Sequence, residues 1–192
     1  MKEILLIGAG GHCNSCIDVI EKENKYKIAG IIDKKELLGQ KVLGYEVIAS
    51  DEDLPKLFEK YKYALISIGQ LKSSELRKKI FSNLKEIGFT LPSIISPRAY
   101  ISKHSKVDEG SIIMHDVIIN ANTSIGTNCI INTKALVEHD VKISDNCHIS
   151  TASVINGHCE IRENTFIGSN STIVQCIKIE KNSFIKAGSL VK

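Results

Sequence analysis

An aliphatic residue occupies every sixth position through the second half of this sequence, without a break between residues 101 and 191. A period of six fits neither an α-helix nor an ordinary strand, whose side chains repeat every 3.6 and every two residues. It predicts a solenoid with flat sides and sharp corners, in which one aliphatic side chain per side points inward. The series is Ile101, Val107, Ile113, Ile119, Ile125, Ile131, Val137, Ile143, Ile149, Ile155, Ile161, Ile167, Ile173, Ile179, Ile185 and Val191.

A small or β-branched residue follows each aliphatic position four residues later. We expect it to fill the tight inward spot before each corner, and we interpret Cys129, Cys147 and Cys159, which fall there, as small buried thiols. The fifteen hexapeptides of residues 101–190 would make five three-sided turns (15/3). These turns would stack at the strand spacing of about 4.8 Å.

Strand-like and helix-like segments alternate in the first half of the chain, and this alternation implies a parallel sheet. The last predicted helix would bury one apolar stripe. We therefore predict an α/β Rossmann-like half-domain over residues 1–93, followed by a parallel β-helix over residues 94–192. The predicted strands are residues 4–7, 27–32 and 63–68, the predicted helices are residues 14–25, 51–60 and 73–87, and the stripe is Leu76, Ile80, Leu84 and Ile87.

Composition argues against several kinds of partner. The 192 residues carry a formal net charge of +3, no Trp and only 5% aromatic residues, which does not favour a nucleic-acid-binding surface. No apolar run approaches the roughly 20 residues of a membrane span. Because Met1 leads directly into a strand-like stretch, we expect no signal peptide, no membrane insertion and a cytoplasmic protein whose cysteines stay reduced.

A glycine turn follows the first predicted strand. Gly8 and Gly10 match two of the three glycines of the dinucleotide-binding pattern, but Cys13 occupies the third position. The backbone N–H groups of such a turn form an anion site at a helix start, and Asp33 ends the second strand where a carboxylate would meet a ribose. A mononucleotide or the phosphate of a nucleotide sugar fits this half-domain better than NAD. Cys13 and Cys16 form a C-x-x-C pair, but no Trp precedes it and we disfavour a redox or zinc role.

Histidine is the residue type that best fits a general base near neutral pH. His139 is the strongest candidate, because it lies two residues after an inward Val and has an acid on each side that can orient the imidazole. We interpret His104, His115 and His158 as solvated surface residues. No H-x-H or H-x₃-H pair is present, so we expect no metal.

The hexapeptide pattern resembles that of the hexapeptide acyltransferases, and the expected left-handed coil of the parallel β-helix is taken from that resemblance. The whole chain is similar to the NeuD/PglD group of bacterial sugar acetyltransferases, which join a small nucleotide-binding-like domain to such a β-helix. The matching stretches occur in the order and at the spacing of the family. They are residues 4–12 (ILLIGAGGH), 31–33 (IID), 67–70 (SIGQ), 76–80 (LRKKI) and 132–150 (NTKALVEHDVKISDNCHIS).

The resemblance implies roles for individual residues. His139 would be the general base, Asp140 the acid that orients it, and Gly157 the residue whose N–H stabilises the tetrahedral oxyanion. His148 would contact the acetyl group or the substrate. The nucleotide sugar would contact Gly10, Gly11, His12, Asp33, Gly69 and Gln70.

The resemblance also implies a co-substrate and an assembly. Acetyl-CoA would be the acyl donor, and its pantetheine arm would pass Ser169 and Ala187 along the β-helix between neighbouring subunits. The family forms homotrimers in which each site is built from two chains. In family members, a segment like residues 188–192 is usually followed by a further stretch that ends near Gly-x-Pro-Ala-Lys. That stretch helps to hold coenzyme A. The contacts of the adenine end are therefore left open.

Two acceptor classes fit the same base. Asp140 and His148 favour N-acetylation of a nucleotide-linked 4-amino-4,6-dideoxy sugar in bacterial surface glycan biosynthesis. O-acetylation of sialic acid or a related nonulosonic acid is the alternative, because residues 135–140 and 149–161 resemble those enzymes too. A zinc site shared between subunits, as in γ-class carbonic anhydrases, and a silent binding module are the remaining alternatives. The nucleotide and the sugar stay open.

Overall fold

The computed structural model describes all 192 residues and divides them into two compact units. The first unit contains residues 1–69 and 77–92, and the second contains residues 70–76 and 93–192. The predicted domains met at a single boundary between residues 93 and 94. The grouping of residues 70–76 with the second unit is a feature that the sequence analysis did not anticipate. None of the three α-helices combines the length and the hydrophobicity that a membrane-spanning helix needs.

The first unit is built on one five-stranded sheet in the order β3-β4-β2-β1-β5. All neighbouring strands in it are parallel except β3 and β4, which form an antiparallel pair. The strands are β1 (Lys2–Ile7), β2 (Tyr26–Ile32), β3 (Lys41–Val42), β4 (Tyr45–Ala49) and β5 (Tyr63–Ile66). The helices are α1 (Gly11–Glu23), α2 (Leu54–Lys60) and α3 (Glu75–Ile87), with single 3₁₀ turns at Lys35–Leu37 and Asp51–Asp53.

The three predicted strands and three predicted helices of this half are all present, but the β3–β4 pair was not predicted. The apolar stripe assigned to α3 was wrong at its first position, since Leu76 is exposed and Arg77 is buried instead. Arg77 donates hydrogen bonds from Nη1 to the carbonyl oxygens of Ile66 and Ile68, at 3.2 and 2.6 Å. A guanidinium with such acceptors can be buried, and a hydrophobic pattern does not reveal it.

The second unit is a three-sided parallel solenoid. Each strand pairs with the strand 18 residues further along the chain, as Ile131 does with Ile149, so three hexapeptides complete one coil. The three sheets run β22-β19-β16-β13-β10-β7, β20-β17-β14-β11-β8 and β21-β18-β15-β12-β9-β6. The strands are β6 (Ile94–Ile95), β7 (Tyr100–Ile101), β8 (Lys106–Val107), β9 (Ile112–Ile113), β10 (Ile118–Ile119), β11 (Ser124–Ile125), β12 (Ile130–Ile131), β13 (Leu136–Val137), β14 (Lys142–Ile143), β15 (His148–Ile149), β16 (Val154–Ile155), β17 (Glu160–Ile161), β18 (Phe166–Ile167), β19 (Thr172–Ile173), β20 (Lys178–Ile179), β21 (Phe184–Ile185) and β22 (Leu190–Val191).

The aliphatic ladder predicted from the sequence forms the core of this solenoid. Its members from Ile113 to Ile179 are buried, and only those in the terminal coils are partly exposed. The ladder begins one step earlier than predicted, since β6 pairs with β9 through Ile95 and Ile113. Cys129, Cys147 and Cys159 are buried free thiols, as predicted.

From Gly110 onward, every corner of the solenoid contains a residue with positive φ, and these residues recur every six positions. A left-handed backbone is tolerated best by Gly, Asn and Asp, which explains why those residues fill most corners. The small inward side chains reinforce the corners, because a polar one donates to a carbonyl oxygen 15 residues further on, as Thr123 does to Glu138 at 2.7 Å. The corner residues are Gly110, Asp116, Asn122, Asn128, Lys134, Asp140, Asn146, Ala152, His158, Asn164, Asn170, Cys176, Asn182 and Gly188.

Candidate active site

His139 and Asp140 lie together in the corner that joins β13 to β14. Nδ1 of His139 is 2.7 Å from Oδ2 of Asp140. Because an ionised carboxylate only accepts hydrogen bonds, the proton of a neutral His139 ring sits on Nδ1. Nε2 then carries the lone pair, and the side chain of His139 is 51% exposed. This is the arrangement of a base that can accept a proton from a bound molecule.

Asp140 is held by the coil below as well as by its neighbour. Nδ2 of Asn122, one coil earlier at the same corner, donates to Oδ1 of Asp140 at 2.5 Å. The hydrogen bonds from Asn122 and then from His139 lower the pKa of Asp140 below its usual value. The carboxylate therefore stays ionised to a lower pH than an ordinary Asp does, and when ionised it accepts the Nδ1 proton of His139.

Small residues flank the imidazole of His139 along the solenoid axis. Ala121 and Gly157 occupy the same corner position one coil before and one coil after it. A Cβ placed on Gly157 would lie 2.9 Å from Cε1 and 3.0 Å from Nε2 of His139. The Gly157 N–H donates to no group of the chain. The backbone of Gly157 therefore lies next to the imidazole, and its role in stabilising an oxyanion stays a prediction.

His158 also lies in this group. Its side chain is 53% exposed, as expected of a surface residue, but its position beside Asp140 was not predicted. Its Nε2 is 3.6 Å from Oδ2 of Asp140, and its ring stands edge-on to that of His139 with centroids 5.3 Å apart. The reason is the coil length, since 18 residues separate Asp140 from His158. His115, also predicted to be a solvated surface residue, makes a contact within the protein, because its Nδ1 lies 2.6 Å from Oγ of Ser96.

One group of side chains is close enough to hold a metal ion, and it consists of His139, Asp140 and His158. One donor atom from each of the three lies within 4.8 Å of the other two. The sequence did not indicate this group, since none of the usual metal-binding spacings separates His139 from His158. The hydrogen bonds of Asp140 to Asn122 and His139 already satisfy much of its capacity. A base–carboxylate pair is therefore the simpler description of the cluster.

His148 and Gln70, both predicted to bind substrate, contact each other within the second unit. Nδ1 of His148 is 2.6 Å from the carbonyl oxygen of Gln70, and its Nε2 is 3.3 Å from Nδ2 of Asn132. The side chain of Gln70 donates to the carbonyl oxygen of Asn146 at 3.0 Å. His148 also packs edge-on against the ring of Phe166. His148 is 5% exposed.

The predicted nucleotide contacts of the first unit surround the turn after β1. The Asp33 carboxylate accepts hydrogen bonds from the N–H groups of Ala9 and Lys34, at 2.6 and 2.7 Å. Gly8 adopts a φ of 112°, and a Cβ there would lie 2.3 Å from Cγ1 of Ile68. Gly10 and Gly11 are exposed at the start of α1, while a Cβ on Gly69 would approach Cβ of His12 to 3.5 Å. The turn is thus fixed by Asp33, with Gly8 buried and Gly10 and Gly11 open to solvent.

Ser169 and Ala187, the predicted coenzyme A contacts, occupy equivalent corner positions of successive coils. Oγ of Ser169 is 2.9 Å from Oγ of Ser150, and its carbonyl oxygen accepts from the N–H of Gly188 at 2.8 Å. Ala187 is exposed.

The C-x-x-C pair of the first unit has no feature of a redox site. Cys13 and Cys16 are both buried in α1, and they are not bonded to each other. Burial raises the pKa of each thiol. A thiol held in this way is a poor nucleophile and a poor metal ligand, which agrees with the disfavoured redox reading.

Two protein families match the sequence. Residues 3–84 match the family described as the PglD N-terminal domain, and residues 158–192 match the bacterial transferase hexapeptide family (six repeats).

Solved structures share the complete architecture. A histidine-to-asparagine variant of perosamine N-acetyltransferase from Caulobacter crescentus, in complex with CoA and GDP-perosamine, is 29% identical with a TM-score of 0.93, covering 100% of this chain and 89% of that chain. The acetyltransferase domain of PglB from Neisseria gonorrhoeae is 24% identical with a TM-score of 0.90, covering 100% and 92%. WeeI from Acinetobacter baumannii shares the fold at 21% identity with a TM-score of 0.66, covering 100% and 97%.

The two matched families, the hexapeptide solenoid and the fold shared with the Caulobacter crescentus structure define an acyltransferase of the hexapeptide-repeat superfamily, with a left-handed parallel β-helix. Within that superfamily the chain belongs to the NeuD/PglD-like sugar acetyltransferases, enzymes that depend on acetyl-CoA. The resemblance inferred from the sequence is thereby confirmed.

Proposed function

We propose that this enzyme transfers an acetyl group from acetyl-CoA to the amine of a nucleotide-linked 4-amino-4,6-dideoxy sugar, in the cytoplasm, during bacterial surface glycan biosynthesis. The observation that carries the proposal is the hydrogen bond from Nδ1 of His139 to Asp140, which leaves Nε2 as the basic atom. The Caulobacter crescentus protein, an N-acetyltransferase in complex with CoA and GDP-perosamine, supports an amine acceptor on a nucleotide sugar.

The chemistry follows from these positions. Nε2 of His139 accepts a proton from the sugar amine as the nitrogen forms a bond to the thioester carbon. The Gly157 N–H donates to the oxyanion of the tetrahedral intermediate. The carbon–sulfur bond then breaks, and the proton passes from His139 to the departing thiolate. The products are the N-acetylated sugar and free coenzyme A.

Replacing the base is the direct test. His139→Ala should lower kcat about 10²–10⁴-fold, the usual contribution of a positioned base. Coenzyme A release should be followed by mass spectrometry, with amino-sugar nucleotides and sialic acid compared as acceptors. His104→Ala, a change at an exposed histidine elsewhere on the solenoid, is the matched control. Full acetyl transfer by His139→Ala would show that His139 is not the base. Faster acetylation of sialic acid than of amino-sugar nucleotides would show that the acceptor group is a hydroxyl and not an amine.

We propose that the first unit binds the nucleotide through Gly10, Gly11, His12, Asp33 and Gly69. Because Asp33 fixes the N–H of Ala9 within the glycine turn, Asp33→Ala should disorder the phosphate-binding turn. We expect the variant to raise KM for the nucleotide sugar about 10-fold or more with little change in kcat, as for an interaction made equally in ground and transition states. An unchanged KM would place the nucleotide elsewhere.

We propose that the enzyme is a homotrimer in which coenzyme A passes Ser169, Ala187 and His148 between subunits. The outward residues of the sheet from β7 to β22 are mostly apolar, whereas those of the sheet from β8 to β20 are charged or polar. His139 follows directly on β13 of the apolar sheet, so a second chain packed there would border the base. The outward residues are Tyr100, Ile118, Leu136, Val154, Thr172 and Leu190 on the first sheet, and Lys106, Ser124, Lys142, Glu160 and Lys178 on the second.

Light scattering after size exclusion tests this assembly. The unmodified protein should have three times the chain mass of 21.2 kDa. Ile118→Glu should dissociate it, because a charge would be buried in an apolar interface. Lys142→Glu, on the charged sheet, should leave it intact. A monomer with full turnover would exclude a site shared between chains.

A further inference from the structure

Asparagine side chains connect successive coils at the corners of the solenoid. Asn128 donates from Nδ2 to Oδ1 of Asn146 at 2.8 Å, and Asn164 donates to Asn182 in the same way at 3.0 Å. Each amide can accept from one coil and donate to the next, so such a ladder can run along a whole edge. The donors and acceptors are always 18 residues apart.

The corner that contains Asp140 departs from this pattern. Asn122 donates to Asp140 at 2.5 Å, but a carboxylate has no proton to pass on to the next coil. The next corner residue, His158, instead turns its Nε2 back towards Oδ2 of Asp140, at 3.6 Å. Asp140 therefore has polar partners in the coil on either side of it, in addition to the Nδ1 of His139 at 2.7 Å.

The two oxygens of the Asp140 carboxylate have different partners. Oδ1 is occupied by Asn122, and Oδ2 faces both His139 and His158. The side chain of Asp140 is 30% exposed, so without these partners it could rotate into water. The pKa of Asp140 is lowered chiefly by the bond from Asn122, next by that from His139, with a smaller part from the charge of His158, which agrees with this order of importance.

We infer that Asn122 and His158 are positioning residues that hold Asp140 against Nδ1 of His139 and so keep the Nε2 of His139 free to act as the base. The inference rests on the proposed function. Asn122 provides the direct hydrogen bond, and His158 provides a second partner on the open side of the carboxylate. Neither residue was assigned a role in the site from the sequence.

Three substitutions and one matched control test the inference. Asn122→Ala should lower kcat about 10-fold, and His158→Ala about 3-fold, with KM changed less than 2-fold, because only the orientation of the base is lost. Asn164→Ala removes an equivalent ladder bond, from an equivalent left-handed corner, away from His139. It should cost the same thermal stability as Asn122→Ala and leave kcat unchanged. His158→Gln, which keeps a donor, should recover most of the loss.

The nitrogen chemical shifts of His139 report its tautomer directly, and a loss of thermal stability alone would not change them. In the unmodified enzyme, ¹⁵N NMR should show one neutral tautomer of His139, with the proton on Nδ1, and Asn122→Ala should show a mixture. Equal kcat for Asn122→Ala and Asn164→Ala, or an unchanged tautomer, would overturn the inference. If the unmodified enzyme transferred no acetyl group, the proposed function would fail, while the tautomer measurement would still decide the role of Asn122.

Discussion

Nδ1 of His148 lies 2.6 Å from the carbonyl oxygen of Gln70, a residue 78 positions earlier in the chain. A carbonyl oxygen only accepts hydrogen bonds, so the Nδ1 of His148 carries a proton and its Nε2 can accept from Asn132. The ring therefore fixes the segment of residues 70–76 on the β-helix unit to which that segment belongs. His148 has a structural task that is separate from any contact with substrate.

His148→Ala should loosen this segment. Removing the imidazole leaves the buried carbonyl of Gln70 without its donor, which costs about 1–3 kcal/mol. We expect a lower melting temperature and faster tryptic cleavage at Lys72, which is exposed within the segment. His104→Ala, at an exposed position, should change neither. Unaltered cleavage at Lys72 in His148→Ala would mean that other contacts hold residues 70–76.

Gly157→Ala should disturb the base without unfolding the solenoid. A Cβ at this position would lie 2.9 Å from Cε1 of His139, closer than such contacts normally come. The imidazole is half exposed and can move away, so the cost should fall on kcat, by about 10–100-fold, rather than on stability. Gln175→Ala, at the same corner position one coil further on, is the control for stability. A Gly157→Ala enzyme with normal kcat would show that His139 does not act from this orientation.

The solenoid could be predicted from the sequence because each side of every coil needs an aliphatic side chain that points inward. Ile113 and Ile167 serve identical purposes three coils apart, so one period describes them all. The corner residues obey the same period through Asn and Asp, and that second signal would have placed Asp140 and His158 in one column. The prediction of a solvated surface position for His158 did not use this column.

Other features depend on single contacts that no period can reveal. Leu76 fits the apolar stripe of α3 better than Arg77, yet Arg77 is buried because two carbonyl oxygens at the end of β5 accept its hydrogen bonds. Residues 70–76 are held on the second unit in part by a hydrogen bond from His148 to Gln70, two residues that are distant in sequence. The role of Asp140 was predicted from the family resemblance. Its hydrogen bond to Asn122 could not be predicted from the sequence and is seen only in the structure.

The aliphatic ladder should show a position-dependent cost when it is interrupted. Ile149 is fully buried in the middle of the solenoid, and Ile185 is partly exposed near its end. Ile149→Ala should destabilise the protein by about 2–5 kcal/mol, the range for truncating a buried aliphatic residue. Ile185→Ala should cost clearly less, because water already reaches that site. Chemical denaturation of both variants measures the difference, and equal losses would contradict a core centred on the ladder.

The exposure of the six cysteines provides a test that needs no substitution. Cys176 is exposed, while Cys13, Cys16, Cys129, Cys147 and Cys159 are buried. An alkylating reagent attacks accessible thiolates, and burial raises the pKa of Cys13, Cys16 and Cys159. Brief iodoacetamide treatment should therefore add one adduct per folded chain, at Cys176, and six after denaturation in guanidinium. Intact-mass and peptide mass spectrometry count and locate the adducts. Rapid labelling of Cys129 or Cys147 in the folded protein would contradict the packing of the inward positions, on which the stacking of the coils around His139 depends.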